Sequence, residues 1–403
     1  MRRIALFLMC LVMAMAAKAK VLTVSVTNPG DDLRWQLVEV SADEVFNALG
    51  AEKGKTIRVK NARGQQVAWQ LTYDGKLLIE TTVMPHGTAT FTIDKGTPDE
   101  FKTYVAGRKV PERLDDFAWE NDRSAYRVYG PALAKTGERA FGVDVWAKST
   151  PELVNDGRYA ADAGTWDRIH AAGIKDKAVI DSMFKYTSFH LDHGDGLDCY
   201  KVGPSLGCGT PAVMIGDSII FPYCYKDYEI LDNGPLRITF HLIYPETQKG
   251  KYKKVVEHRI ISLDKGSNYN RCEVWYEGID KPFDVASGVV IHTEDKETLE
   301  MGPGYVIYAD PTDEPKNNFQ LFVGAVFTSF TEAKAVWEKK AHDGIAGHAL
   351  GIRRALPADS HFTYYFGSAW SKADCRSMKE WRERTRQFLR ALEEPLQVKI
   401  AAE

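Results

Sequence analysis

The chain has 403 residues, 44% hydrophobic, 11% aromatic and 27% charged, with 32 Gly, 17 Pro and six Cys. That profile belongs to a large folded protein and excludes disorder, collagen and a small disulfide scaffold. Lys and Arg total 52 against 55 for Asp and Glu, a formal charge of −3, so there is no broad basic field for nucleic acid. An anionic partner has to be met by a local cluster.

Arg2 and Arg3 precede an apolar run over residues 4–17, and Ala14, Ala16, Ala17 and Ala19 supply small residues at cleavage spacing. This predicts a secretory signal over 1–19 and a secreted or periplasmic mature chain. The run falls short of the roughly 20 residues that span a membrane, and no later stretch is long and uncharged enough to do so. Cys10 would allow a lipoprotein reading, but Leu8 and Met9 stand where small residues are wanted. Losing Arg2, Arg3 and Lys18 with the leader moves the charge from −3 to −6. Five cysteines then remain: Cys199, Cys208, Cys224, Cys272 and Cys375. The odd count argues against a full disulfide framework, and a Cys199–Cys208 bridge and buried thiols both stay open.

Residues 20–100 predict a small N-terminal β-sandwich, with alternating runs at 21–27, 33–40, 56–60, 66–73, 76–82 and 88–93. Asn61-Ala-Arg-Gly64 and Asp74-Gly75 are hairpin turns between them. Ser41-Ala-Asp-Glu44 is a capping box for one short helix, carrying Val45, Phe46 and Leu49 and stopped by Gly50. Residues 96–113 read as an exit linker. Over 112–370 more than ten β-like runs follow without alternating helices, which predicts a large antiparallel sandwich. Within 373–403, Met378, Trp381, Phe388, Leu389 and Leu392 recur at helical spacing from an Asp374 start, so an amphipathic C-terminal helix packs on that sandwich. The fold class is all-β. No fixed-period repeat points to a propeller or solenoid.

Two stretches carry more functional residue types than a sandwich needs. In the first, residues 115–130, alternation over 122–129 puts Arg123, Arg127 and Tyr129 on one face and Ser124, Tyr126 and Val128 on the other. Two guanidiniums near Trp119 and Tyr129 suit a carboxylated sugar, since arginine forks bind carboxylate and aromatic rings accept a pyranose face. The alternative is an internal ion-pair ladder against Glu120 or Asp122. The second stretch, residues 189–209, sets His190, His193, Asp192, Asp195, Asp198, Tyr200 and Lys201 among glycines that allow close backbone approach to a ligand. Asp192, Asp195 and Asp198 could hold a divalent cation such as calcium, although the spacing is not that of an EF-hand. Alternatively His190, His193 and Tyr200 are acid/base groups, with Lys201 favouring a Tyr200 phenolate. His292 and His258 lie on strands that could face a cleft, whereas His241 and His361 read as ordinary strand residues. No Walker loop, H-E-x-x-H, G-x-S-x-G or dinucleotide fingerprint is present.

Trp119-Glu-Asn-Asp-Arg-Ser-Ala-Tyr-Arg-Val-Tyr-Gly-Pro131 and His190-Leu-Asp-His-Gly-Asp-Gly-Leu-Asp-Cys-Tyr-Lys-Val-Gly203 together resemble domain-of-unknown-function family 4861, secreted proteins mainly of Bacteroidetes. Asp232-Asn-Gly-Pro-Leu-Arg237 resembles the sheet entry of galactose-mutarotase-like super-sandwiches. The resemblance implies a role on uronate-containing oligo- or polysaccharides, and it transfers no catalytic residue.

Residues and resemblance meet in β-elimination at a uronate. That chemistry needs a neutralised carboxylate, a base at the C5 proton and an acid for the departing C4 oxygen. Arg123 and Arg127, or a cation on the Asp192 cluster, would do the first; His193 and Tyr200 would do the others. A sugar leaving group makes the enzyme a lyase, and a hydroxyl makes it a dehydratase. The competing readings are a hydrolase with paired carboxylates such as Glu120 and Asp195, and a glycan-binding protein without catalysis.

Overall fold

The structure is a computed structural model that describes residues 20–53, 56–293, 295–312, 318–329 and 331–402; the expected signal segment, 1–19, lies outside them. Strand makes up about 47% of the chain and helix about 16%, so the fold is all-β as expected.

The small sandwich contains β1 (Val21–Thr27), β2 (Arg34–Ser41), helix α1 (Ala42–Leu49), β3 (Ile57–Asn61), β4 (Trp69–Leu71), β5 (Lys76–Val83) and β6 (Thr88–Lys95). Alternation drives it: Val24, Val59 and Ile93 from one sheet close on Val38, Val40 and Leu77 from the other, with Phe46 of α1 between. Ser41 caps the helix as read, the Glu44 amide donating to Ser41 Oγ at 3.3 Å, and Gly50 ends the helix at φ 62°.

The supposed linker instead enters a second sheet. It comprises β7 (Ala106–Val110), β8 (Asp116–Glu120), β9 (Ser124–Val128) and, after helix α2 (Pro131–Thr136), β10 (Asp144–Lys148). Helices α3 (Asn155–Ala172) and α4 (Lys177–Phe184) follow, then β11 (Gly196–Asp198), and the spatial order is β11–β10–β9–β8–β7.

The remaining strands are β12 (Ala212–Ile215), β13 (Ser218–Ile220), β14 (Asp227–Asn233), β15 (Arg237–Ile243), β16 (Thr247–Lys249), β17 (Tyr252–Asp264), β18 (Tyr269–Glu277) and β19 (Phe283–Ile291). After them come β20 (Leu299–Gly302), β21 (Tyr305–Asp310), β22 (Leu321–Phe327), β23 (Glu332–His342), β24 (Ile345–Leu356) and β25 (Phe362–Trp370). A long sheet runs β14–β15–β17–β18–β25–β22–β21–β20, with β16 on β17, and a shorter one runs β13–β12–β19–β24–β23. All neighbouring strands are antiparallel. The inner face of the long sheet (Phe240, Val323, Phe366) closes in one core on Trp119 and Tyr126 of the β7–β11 sheet and on Val289 and Ala349 of the shorter one.

The outer face of the long sheet is covered from two directions. Helix α5 (Met378–Glu393) buries Trp381, whose indole stacks on Tyr269 at 5.2 Å and donates to the Val323 carbonyl at 3.2 Å. The helix starts at Ser377, whose Oγ accepts from the Glu380 amide, and not at Asp374, which pairs with Arg123 and Arg384. The chain then ends in β26 (Gln397–Ala402), which pairs with β1, so the tail completes the small sandwich. Trp381→Ala removes a fully buried indole from this junction, and a loss of about 3–5 kcal/mol is expected in chemical denaturation. A loss below about 1 kcal/mol would show that α5 does not hold the outer face.

Candidate active site

Strand alternation places Arg127 and Tyr129 together, the guanidinium lying 5.0 Å from the Tyr129 ring, while Tyr126 and Val128 turn into the core. The face carrying Arg127 is not open to solvent: Tyr159 of α3 and Phe189 cover it. Arg127 is buried and shared by three carboxylates: Nε to Asp144 at 2.9 Å, Nη2 to Asp198 at 3.0 Å and Nη1 to Asp116 at 3.4 Å. The rings of Trp146 and Phe189 flank it at 5.1 and 5.8 Å. The ion-pair reading therefore holds for Arg127, with partners on other strands and not at Glu120 or Asp122. A buried charge so fully engaged has no fork left for a substrate carboxylate.

Arg123 precedes β9 and leaves that face. It donates to the Gly266 carbonyl, pairs with Asp374 and lies 5.2 Å from the Trp35 ring, at the border of a different cleft. Trp119 is a core residue, fully buried and donating to Asn270 Oδ1 at 2.7 Å, so it cannot stack on a sugar. Glu120 is also consumed structurally, accepting from Lys148 Nζ at 2.7 Å and from the Val154 and Asn155 amides that open α3. It cannot be half of a hydrolytic carboxylate pair with Asp195.

The aspartates of the second stretch diverge. Asp192 accepts from the Gly194 and Gly196 amides and pairs with Lys372, Asp195 faces Arg158 at 3.4 Å, and Asp198 holds Arg127. Three-residue spacing in this loop thus serves turns and ion pairs, and the cation site does not form. Among the described residues no group of three or more His, Cys, Asp or Glu is placed to hold a metal ion. Two of the glycines admit backbone and not ligand: Gly196 has φ 121° and a Cβ there would sit 1.9 Å from the Ala147 carbonyl oxygen, and a Cβ on Gly207 would sit 2.2 Å from that of Val143. The Cys199–Cys208 bridge does not form either, because Cys208 keeps a thiol that donates to the Gly367 carbonyl, and burial pushes it up to about 12.

The histidines separate too. His193 is exposed, its Nε2 2.9 Å from the Ser188 carbonyl, and borders a pocket of about 330 Å³ with Leu197, Phe319 and Trp370. His190 lies over the Arg127 cluster, Nδ1 3.5 Å from Asp198 Oδ2.

What Tyr200 meets is His292, the rings edge-on with centroids 5.9 Å apart. His292 Nδ1 is held 2.6 Å from Asp310 Oδ2, and the His292 and Thr293 amides donate to Tyr308 Oη. Tyr200 Oη and His292 Nε2 are both buried, and neither has a partner in hydrogen-bond geometry among the described residues. Lys201 is exposed beside them. Burial, then Cys208 and Asp310, pushes the Tyr200 phenol well above its ordinary value, so it is a proton donor and not a phenolate. Burial depresses His292, but Asp310 and the Lys201 backbone outweigh it and leave the imidazole raised. Asp310 is the member that sequence reading missed; nothing local marks it, because it ends β21 of the long sheet and reaches His292, just past β19, from the facing sheet.

Residues 26–398 match the family described as Domain of unknown function (DUF4861). The chain belongs to this family. It is 28% identical over 319 residues to uncharacterized protein P7 of Formosa agariphila, covering 76% of this chain and 73% of the relative. Among solved structures, an α-mannosidase of Enterococcus faecalis V583 is similar with TM-score 0.50 at 10% identity, over 94% of this chain and 46% of its own. A glycosyl hydrolase family 38 protein of Enterococcus faecalis gives TM-score 0.48 at 10% identity, over 94% and 47%. The DUF4861 chain spans less than half the length of those two structures, and the likeness concerns fold alone.

The Arg127 cluster makes a pH prediction for the DUF4861 chain. Three buried carboxylates share one guanidinium, and burial, aided by Asp198, pushes Asp144 up to about 7, while burial lifts Asp116 to about 6. Both carboxyls keep protons in the fold that the unfolded chain has released above about pH 4. Their stabilisation is therefore complete below that pH and is lost as the pH rises through 6 and 7. Urea denaturation should show stability falling between about pH 5 and pH 8, by up to ~1.4 kcal/mol per pH unit for each group. Asp144→Asn should flatten that slope; an unchanged slope would place the protons elsewhere.

Proposed function

We propose that this protein is exported and acts on uronic-acid-containing oligo- or polysaccharides by β-elimination, as a lyase or an oligosaccharide dehydratase. The observation that carries the reading is the edge-on packing of the Tyr200 and His292 rings, centroids 5.9 Å apart, whose buried Oη and Nε2 have no partner in hydrogen-bond geometry among the described residues, with Asp310 fixing the other imidazole nitrogen. Unsatisfied buried polar atoms are costly and call for a ligand-linked explanation. The two groups divide the work that elimination demands. His292, oriented by Asp310, takes the C5 proton; the freed electron pair forms the C4–C5 double bond; the C4–O bond breaks; and Tyr200 donates its proton to the leaving oxygen. Lys201, the exposed cation next to them, faces the uronate carboxylate and stabilises the charge that builds there. His193, His190, Arg123 and Arg127 have no part in this step.

The test is the ultraviolet absorbance of unsaturated uronate, followed on a panel of plant and algal oligouronides. His292→Ala and Tyr200→Phe should each lower kcat by about 10²-fold or more. Because His292 is raised and must be neutral to act, the acid limb of kcat/KM should lie above the ordinary histidine value of about 6.5. Asp310→Asn removes the anion that raises it and should move that limb to lower pH. Absence of the chromophore with every substrate, in folded protein, overturns the reading; new reducing ends without it would indicate hydrolysis, and binding without product a lectin-like role.

A further inference from the structure

A second site lies on the other side of the long sheet from Tyr200 and His292. The outer face of β15, β17 and β18 forms its floor, β2 of the small sandwich one wall and α5 the other. The cleft measures about 940 Å³, at the upper end of the ~300–1,000 Å³ typical of small-molecule pockets. Two large rings stand half in solvent along it, Trp35 at 47% and Tyr73 at 53% exposure. Exposed rings set among polar groups mark a binding surface more often than isolated apolar residues do.

The charges say what kind of ligand fits. Among the described residues, seven carboxylates and six Lys or Arg side chains line the cleft. Several are tied to one another: Arg237 binds Asp264 and, at 2.7 Å, Glu39, Arg271 holds Glu273 at 2.8 Å, and Arg123 and Arg384 share Asp374, while Asp232 accepts from the Tyr73 amide. Such pairs create no field to draw a polyanion, yet they present fixed donors and acceptors side by side, which is what vicinal hydroxyls require.

We propose that this cleft is a second, non-catalytic carbohydrate site that takes a neutral, hydroxyl-rich stretch of glycan. Trp35 and Tyr73 stack on pyranose faces, and the Arg237–Asp264 and Arg271–Glu273 pairs hydrogen-bond the ring hydroxyls. The inference does not depend on elimination chemistry at His292.

The experiment is calorimetric titration of the full chain with neutral gluco-, manno-, xylo- and galacto-oligosaccharides of two to eight units. At least one series should bind with affinity that grows with chain length and barely changes as salt is raised, because no net charge is neutralised. Trp35→Ala and Tyr73→Ala, both at exposed positions and checked by thermal melting, should each weaken binding tenfold or more, and neither should alter elimination on a short uronide. His292→Ala should abolish elimination and leave this binding intact, so failure of one proposal is separable from failure of the other. Lack of binding by every neutral series overturns the proposal. So do wild-type affinities in both ring variants, binding only of acidic glycans with steep salt dependence, and capture of an extended peptide in place of sugar.

Discussion

The buried guanidinium of Arg127 is the constraint on which the rest of the site depends. Asp116, Asp144 and Asp198 come from β8, β10 and β11, and each by itself would be a carboxylate out of water at a cost of several kcal/mol. One planar cation with donors at Nε, Nη1 and Nη2 answers all three at once, which a lysine could not do. Asp198 is the last residue of the His-Gly-Asp loop to be held this way, and two residues later the chain delivers Tyr200 to His292. The orientation of the proposed proton donor is thus set by an ion cluster that takes no part in the chemistry.

Much of this was legible in local sequence. Period-two alternation separated Arg127 and Tyr129 from Tyr126 and Val128, and the 3.6-residue stripe of Trp381, Phe388 and Leu392 marked α5. Both signals assume one dry face, which α5 has; β9 is buried along its whole length, Arg127 included. Local pattern could not say what covers the Arg127 face. Helix α3 carries Gly157 and Gly164 and lacks a clear apolar stripe, because it buries Tyr159 and Ile169 against polar as well as apolar neighbours. Strand β26 was equally hidden: six residues whose partner, β1, lies at the opposite end of the chain.

The site residues failed or held for a related reason. Spacing of Asp192, Asp195 and Asp198 resembled a ligand set, but in a glycine-rich loop a carboxylate is as readily satisfied by nearby amides and by cations brought from afar. Arg123 was placed with Arg127 by strand parity, yet Asn121 Oδ1 accepts from the Arg123 and Ser124 amides and makes a turn there, so the parity count starts two residues too early. Tyr200 and His292 were each singled out for chemistry; that they face one another depends on long-range pairing, which no local pattern encodes.

Net charge had suggested that any anionic partner must be met by a small cluster, and the structure narrows that cluster sharply. Arg127 is spent on three aspartates, Arg123 on Asp374, and Lys372 on Asp192. Among the described residues Lys201 is then the positive charge that remains beside Tyr200 and His292, and a single exposed cation attracts one carboxylate and not a polyanionic surface. The large cleft, where every arginine of the floor has its carboxylate, cannot supply the missing field. The proposed uronate site at Lys201 and the proposed neutral-sugar cleft of paired charges and open rings therefore lie on opposite faces of the long sheet, so the two readings concern separate binding events and not one short substrate held at both.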